Sequence, residues 1–505
     1  MLRKKGILKS SFQISIITLS VKFLGLIKQA ILASYCGANK ETDLFFLSSG
    51  IMAAFCIVLF SALSISLLSM HTEMLIQEGR EQSNKLINKA LRLFLPISIL
   101  ISILFFTFSP LLSLIIAPSY STDERSELIY YLRIMSLLFM FWCYSQIVNV
   151  VLETDKIFLP GRLRNLFQNL LIIIAALLLY KDYGVKSLLF AFLLSGFFEA
   201  VILTICARKK LKFTFGKIPM DDKMKKLLGL SVPLALGNAI YEVNDIVDKQ
   251  ISTGLGHGNV SFLTYGSSVN EIVTSVIITS VSTVLFSHFA TWVSEKKIDK
   301  ITDSLKNSIE LLSIVIMPIM VVCLLCGDSI VYLLYGRGNF GEYEVNKTYG
   351  VVIGYSIGFA FQAMRANFSK VFYAFQDTKT PMVNGIIAVG CNILLSYLLS
   401  RVIGISGVAL ATSISMIIVT VLLLSKINKY LPDFSIKSSI YEILKIIIAG
   451  IVAFVSLYVL KKHLCFSIVT NFVIEGFICL IVYVVTLYVI KSNQILSLKN
   501  RIFRN

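Results

Sequence analysis

Two lysines, Lys22 and Lys28, sit six residues apart inside an otherwise apolar run, SVKFLGLIKQAILASYCG. On a helix rising 1.5 Å per residue they stand about 9 Å apart along the axis. A charged side chain deep in hydrocarbon costs roughly 2.5–3.5 kcal/mol. Two ammonium groups with no acid in their own run therefore need either an anion in an aqueous cavity or carboxylates on neighbouring helices. Both readings stay open, and Asp43, in KETDLFF at the mouth of the next apolar run, is the candidate acid. A second charged group lies in YEVNDIVDKQ. There Glu242, Asp245 and Lys249 follow i, i+3, i+7 and share a helical face on which they can pair. Asp248 points roughly 100° away from that face and is left over. Farther along, Asn392 and Ser396 are one turn apart, as are Val408 and Thr412. A carboxylate with amide, hydroxyl and carbonyl oxygens suits a hard monovalent cation, and the same side chains equally suit plain hydrogen bonding between helices. Arg365, in FAFQAMRANFSK, either lines a cavity or pairs with an acid, and Glu199, Glu271 and Glu475 are open in the same way. Arg133 and Lys370 lie near the ends of their runs, where a long basic side chain reaches the interface.

Other chemistries find little support. The four histidines, His71, His257, His288 and His463, show no ligand spacing. Cys323 and Cys326 form a CxxC inside an apolar helix with no second ligand pair nearby, which suits small apolar filling better than metal or redox work. TGLGHGN is a tight loop and no phosphate cradle, since no strand precedes it and no Gly-Lys-Ser/Thr follows. The formal net charge of +18 does not imply nucleic acid, because the positive charge gathers at helix ends and not along one amphipathic surface.

The elements that must position these residues are membrane helices. Of 505 residues 56% are hydrophobic and 15% charged, with a mean hydropathy of +0.80; a soluble chain carries about 25% charged residues. Apolar runs long enough to cross roughly 30 Å of hydrocarbon recur along the chain. Fourteen are expected, near 11–35, 43–70, 91–117, 128–152, 158–180, 185–208, 227–253, 262–290, 310–336, 347–373, 383–400, 405–425, 441–460 and 465–490. Charge bias tests that count. Of the 47 Lys and Arg, 32 fall on the side that holds the N-terminus, nine on the other and six within runs. A wrong count would scramble this alternation, so both termini are expected in the cytoplasm. The basic start, Arg3, Lys4, Lys5 and Lys9, leads into a run broken by Lys22 and Lys28 and followed by many more, so no cleaved signal peptide is expected. A faint repeat relates 153–203 to 375–423: ETDKIFLPG resembles FQDTKTP, and Asn169 and Asn392 stand 223 residues apart. The expected fold is all-α and polytopic. Two six-helix lobes, 1–208 and 209–425, are followed by two extra helices and a tail in 426–505, and six plus six helices around a cavity is a common transporter plan.

These residues carry a family resemblance. VKFLGLIKQAIL with GANKETDLFF, LSLIIAPSY, VYLLYGRGNF, and VFYAFQDTKTP followed by ISGVALATS resemble the MurJ (MviN) family of bacterial lipid II flippases, within the superfamily that includes MATE and polysaccharide flippases. The matching pieces run from residue 21 to beyond 412. The resemblance implies fourteen helices, with the last two forming a groove for a polyprenyl tail. It places the family's two cavity arginines of the first helix at Lys22 and Lys28 and its acid of the second helix at Asp43. It places a cation site at Asp248, Asn392, Val408 and Thr412. Two positions depart from the pattern: Ser268 stands where the family has a third cavity arginine, and Ser396 where it has an acid one turn beyond Asn392. Lys249 or Arg365 is the candidate to supply the missing charge, and lysine neutralises phosphate without the bidentate fork of arginine.

The expectation is a flippase in the bacterial plasma membrane, moving a polyprenyl-diphosphate-linked sugar by alternating access, with Lys22, Lys28, Asp43, Lys249 and Arg365 meeting the substrate. No catalytic residue and no cofactor are expected, and the coupling ion is Na+ or H+ if the drive is not the membrane potential itself. Membrane lipids and the lipid-linked sugar are the partners, no nucleic acid is bound, and the transport unit is a monomer. The alternatives are a flippase for another undecaprenyl-linked oligosaccharide and a MATE-type drug exporter.

Overall fold

The computed structural model describes residues 20–214, 216, 220–435, 437–463 and 467–495. The basic start, residues 11–19 of the first expected run and the tail beyond 495 lie outside the described residues. Every regular element described is helical. We label them α1 (20–36), α2 (Lys40–Gln77), α3 (Gly79–Ile116), α4 (Thr122–Thr154), α5 (Leu159–Leu178), α6 (Val185–Ala207), α7 (Asp222–Thr253), α8 (Asn259–Ser294) and α9 (Ile298–Tyr335). α10 is Glu342–Ser356 continued after a two-residue break by Phe359–Ala374, and α11 (Lys379–Ile403), α12 (Ile405–Ile427), α13 (Lys437–Lys461) and α14 (Ile468–Val489) follow. Eleven of these are long and apolar enough to cross a membrane. The other three, α1, α7 and α10, stand where the sequence places its first, seventh and tenth runs, and they carry Lys22 and Lys28, the YEVNDIVDKQ charges and Arg365.

Local chemistry sets the helix starts. Asn39 opens α2 with a capping box: its side chain accepts from the Thr42 amide at 3.1 Å, while the Thr42 hydroxyl accepts from the Asn39 amide at 3.0 Å. Ser121 and Glu124 do the same for α4, and Asp221 caps α7. α3 shows why such helices stay in a bilayer. Its buried face carries Ser98, Ser102, Ser109 and Ser113, and its exposed face Ile99, Leu100, Ile103, Leu104 and Phe106. This is a soluble protein's pattern inverted. Lipid already solvates the large apolar side chains, so small residues inside let helices approach. The hydroxyls are satisfied locally or across the interface, as in Ser102 Oγ donating to the Ser136 carbonyl at 2.7 Å.

The chain divides into two compact units, Met1–Ser261 and Phe262–Asn505. α7 belongs with the first because it packs on α2 and α3. Its Asn238 donates to Ser61 Oγ at 3.0 Å, and its Lys249 ammonium lies so close to Gly50 that a side chain there would have to displace it.

Element order repeats at a spacing of about 220. α3 and α9 are both 38 residues long and begin 219 apart, while α6 and α12 are both 23 residues long and begin 220 apart. α4 and α10 break at matching points, Ser136–Leu137 and Ile357–Gly358. α2 and α8 each contain a π-helical turn, Ile57–Ser61 and Thr274–Ile278. The glycines between the paired helices adopt one conformation, φ 58° and ψ −149° at Gly184, φ 62° and ψ −143° at Gly404, a region open essentially to glycine alone. The repeat seen faintly in the sequence is therefore general, but its register differs. Helix boundaries pair Asn169 with Val389 and not with Asn392, because local similarity of the preceding loops set the sequence alignment three residues out.

In the second unit small residues bring helices together. Gly350, Gly354 and Gly358 form one ridge of α10 at four-residue spacing, and a side chain at Gly354 would strike Ala409 and the backbone of α12. Ser413 Oγ donates to the Gly354 carbonyl at 2.6 Å across that contact. α13 and α14 pack on α9 through Val321, Ala449, Ala453, Cys479 and Tyr483, whose hydroxyl donates to the Ile314 carbonyl at 3.1 Å. Cys323 and Cys326 are buried on α9, and Cys326 sits at its kink.

Candidate functional site

Ion pairs sort the connecting segments of the first unit into two ends. At one end Arg80 grips Asp155 with both terminal guanidinium nitrogens, at 3.1 and 2.5 Å, and Lys210 joins them. Arg80, followed by Lys210, holds the Asp155 carboxyl below the usual carboxylate range. Lys223 pairs with Glu78 at 2.9 Å, and Lys89 pairs with Asp221. At the other end Lys40 pairs with Glu127 at 2.8 Å, His257 meets Glu124 at 3.0 Å, and Ser119 bonds Thr253 at 3.3 Å. This grouping reproduces the alternation deduced from charge bias.

Asp43 belongs to the second of these ends, and both its oxygens are engaged. Oδ2 accepts from the Gly258 amide at 2.6 Å, while Oδ1 accepts from the Ser261 amide at 2.8 Å and the Ser261 hydroxyl at 2.6 Å. The acid is fully buried, and it latches the first turn of α8 onto the first turn of α2. The orphan amides at a helix start are a natural seat for a carboxylate.

Lys22 is exposed and Lys28 half-buried on α1, and both engage partners. α1 is tied to α5 by Asn169, which donates to the Val21 carbonyl at 3.3 Å. On α7, Lys249 donates to Asp245 Oδ2 at 2.6 Å, the pairing expected from their spacing. Asp248 lies off that face, buried, and accepts from Asn244 at 3.1 Å.

In the second unit Asn392 donates to Thr412 Oγ1 at 3.1 Å, the Thr412 hydroxyl lies 3.4 Å from the Val408 carbonyl, and Ser396 donates to Asn392 Oδ1 at 3.2 Å. Three of the four residues expected at the cation site, Asn392, Val408 and Thr412, lie together and are already hydrogen-bonded, while Asp248 belongs to the first unit and bonds Asn244 there. Arg365 approaches Met416 Sδ at 3.6 Å. Ser268 donates to the Thr264 carbonyl of its own helix at 2.9 Å and contributes no charge where the family pattern has arginine. Among the described residues no three His, Cys, Asp or Glu side chains gather as a metal site.

A family model described as Lipid II flippase MurJ matches residues 32–481. The chain belongs to the MurJ family. The probable lipid II flippase MurJ of Treponema pallidum (strain Nichols) is 23% identical over 469 residues, covering 90% of this chain and 88% of that one. Its counterpart from Buchnera aphidicola subsp. Baizongia pistaciae (strain Bp) is 25% identical over 481 residues, covering 92% of each. A solved lipid II flippase MurJ in an inward closed conformation superimposes with a TM-score of 0.82 at 24% identity, over 96% of this chain and all of that one. An inward-facing MATE multidrug transporter follows at 0.68 and 13%, over 83% of this chain and 99% of its own. At such identities the structural likeness speaks for the fold shared across the superfamily. The expected MurJ resemblance is thus shown, and the protein is a multi-pass membrane protein of a flippase family. Lys22 and Lys28 precede the matched residues, so their assignment rests on the motif VKFLGLIKQAIL.

Two arrangements are absent from the expectations drawn from the sequence. The first is the Asp43 latch, whose partners lie more than 200 residues away and leave no local signal. The second is a clamp on the segment joining α6 to α7. Asn84 donates to the Lys210 carbonyl at 2.6 Å and Asn88 to the Lys212 carbonyl at 2.9 Å, while Arg92 Nε donates to the Thr214 carbonyl at 3.1 Å. The three stand at four-residue spacing on one face of α3, which a helical reading of 84–92 could have found.

Proposed function

We propose that the protein moves lipid II from the cytoplasmic to the outer leaflet of a bacterial plasma membrane by alternating access, with both termini in the cytoplasm. Membership of the MurJ family over residues 32–481 carries this reading. The diphosphate is neutralised by Lys22 and Lys28, assisted by Lys249 and Arg365. α13 and α14 receive the polyprenyl tail. The Asp43 latch fixes the start of α8 against the start of α2. A monovalent cation, Na+ or H+, acts through Asp248, Asn392, Val408 and Thr412, or the membrane potential acts on the charged helices directly. The transport unit is a monomer, and no covalent step is involved. The departure at Ser268 leaves the headgroup with one fewer fixed charge than the family pattern offers, so affinity rests more heavily on the lysines of α1.

The test is flipping of purified lipid II in proteoliposomes by the wild type and by Lys22→Ala/Lys28→Ala. Wild-type flipping with loss in the double variant supports the reading. Equal flipping by both removes the lysines from the mechanism, and no flipping by folded wild type turns the assignment to another undecaprenyl-linked sugar.

A further inference from the structure

On the surface of the first unit, α3, α4 and α6 leave a groove of about 370 Å3. It is lined by Leu95, Phe141, Tyr144, Phe197, Val201 and Ile205, and by Ala200 among them. The polar atoms in it satisfy one another, since Tyr144 Oη and Thr204 Oγ1 are 2.6 Å apart. The groove therefore asks nothing polar of a guest, and its size suits a small apolar ligand. Its position along the helices is informative. Ile205, the last lining residue of α6, is one turn from Arg208, and the Tyr144 ring stacks on Phe213 at 6.3 Å between centroids. The groove thus ends where the basic segment RKKLKF, 208–213, begins.

That segment is held in place by the clamp of Asn84, Asn88 and Arg92, so its side chains are presented from a fixed backbone. Some of the nearby cations are already committed: Lys210 and Arg80 to Asp155, Arg92 to Thr214. Arg208, Lys209 and Lys212 are exposed and form no ion pair among the described residues. An apolar slot facing the bilayer and opening onto three uncommitted cations at its membrane-surface end matches one kind of molecule. We propose that it is a binding site for an anionic phospholipid, with one acyl chain in the groove and the headgroup phosphate on Arg208, Lys209 and Lys212. Charge complementarity chooses an anionic over a zwitterionic lipid, because basic residues at the membrane surface each add to the attraction. The proposal needs only that the chain sits in a bilayer and is independent of what the chain transports.

The test uses the full chain, delipidated in neutral detergent and titrated with phosphatidylglycerol or phosphatidylcholine, with bound lipid counted by native mass spectrometry. Arg208→Gln/Lys209→Gln/Lys212→Gln should weaken phosphatidylglycerol retention roughly tenfold or more. Ala200→Trp, which fills the groove and leaves the charges intact, should do likewise. A control triple on another basic segment, Lys296→Gln/Lys297→Gln/Lys300→Gln, should retain wild-type binding. Equal loss in the control triple would mean diffuse surface charge and overturn the site. So would undiminished retention in the 208/209/212 triple, equal retention of phosphatidylcholine, or occupancy by a polyprenyl phosphate that phosphatidylglycerol does not displace. The 208/209/212 triple alters exposed side chains only, so its result decides the matter even if Ala200→Trp does not fold.

Discussion

Asp43 looks in the sequence like a counter-ion for the α1 lysines, and in the structure it is a helix cap reaching across the fold to Gly258 and Ser261. A carboxylate accepting from two amides and a hydroxyl makes charge-assisted bonds, and its loss leaves buried donors unpaired. Asp43→Ala should therefore cost about 3 kcal/mol or more, read as a lowered thermal midpoint in detergent; an unchanged midpoint would mean that the latch contributes nothing to the ground state. Asp377, between α10 and α11, offers a pH test. Burial is the largest single influence and raises its pKa, but the Thr380 amide and hydroxyl, the Tyr430 hydroxyl and Lys429 together outweigh it and hold the carboxyl at about 2. The unfolded value is about 3.9. With the folded value depressed, the contribution is fully present above the unfolded pKa and is lost as pH falls through the folded one. The midpoint of the wild type should thus fall more steeply between about pH 4 and pH 2 than that of Asp377→Asn; parallel curves would show that these bonds do not form.

At the scale of elements, the matched π-helical turns of α2 and α8 are the least expected feature. A π turn holds one more residue than the α-helix around it, and such turns cluster at functional positions. Both are tied to a neighbouring helix, Ser61 accepting from Asn238 of α7 at 3.0 Å and Thr274 bonding Gln362 of α10 at 3.2 Å. Deleting one residue, Val58 or Val276, should convert either turn to plain α-helix and keep the register on both sides. The expected result is a folded protein with transport reduced at least tenfold in the proteoliposome assay; full transport would show that the turns are packing accidents. Nothing in ILVF-type runs announces a π turn, because the sequence on either side reads as continuous helix.

For the whole molecule, charge bias and tertiary contacts agree on which segments share an end, through Arg80, Asp155 and Lys210 at one and Lys40, Glu127, His257 and Glu124 at the other. The proposed orientation puts the end of Arg80 and Lys210 in the cytoplasm, on the charge bias alone. A cysteine at Lys181 should react with a membrane-impermeant maleimide in intact cells, and one at Lys297 only after permeabilisation. The reverse pattern would invert the topology and the direction of transport with it.

Helix existence and order were legible because a bilayer imposes them: about 20 apolar residues must span it, and lysine and arginine must stay on one side. The Lys249–Asp245 pair was legible as well, since i, i+4 spacing alone brings those groups together. The family was legible from motifs such as GRGNF and QDTKTP. Tertiary structure decided what depends on residues distant in the chain. It gave Asp43 its partners at 258–261, set the repeat to a spacing of about 220 so that Asn169 matches Val389, and turned Ser268 toward Thr264. It also laid 210–214 along α3, through Asn84, Asn88 and Arg92. In hydrocarbon, apolar side chains of many kinds are interchangeable, so composition determines that a helix crosses; the few small and polar residues that meet across helices determine where it goes.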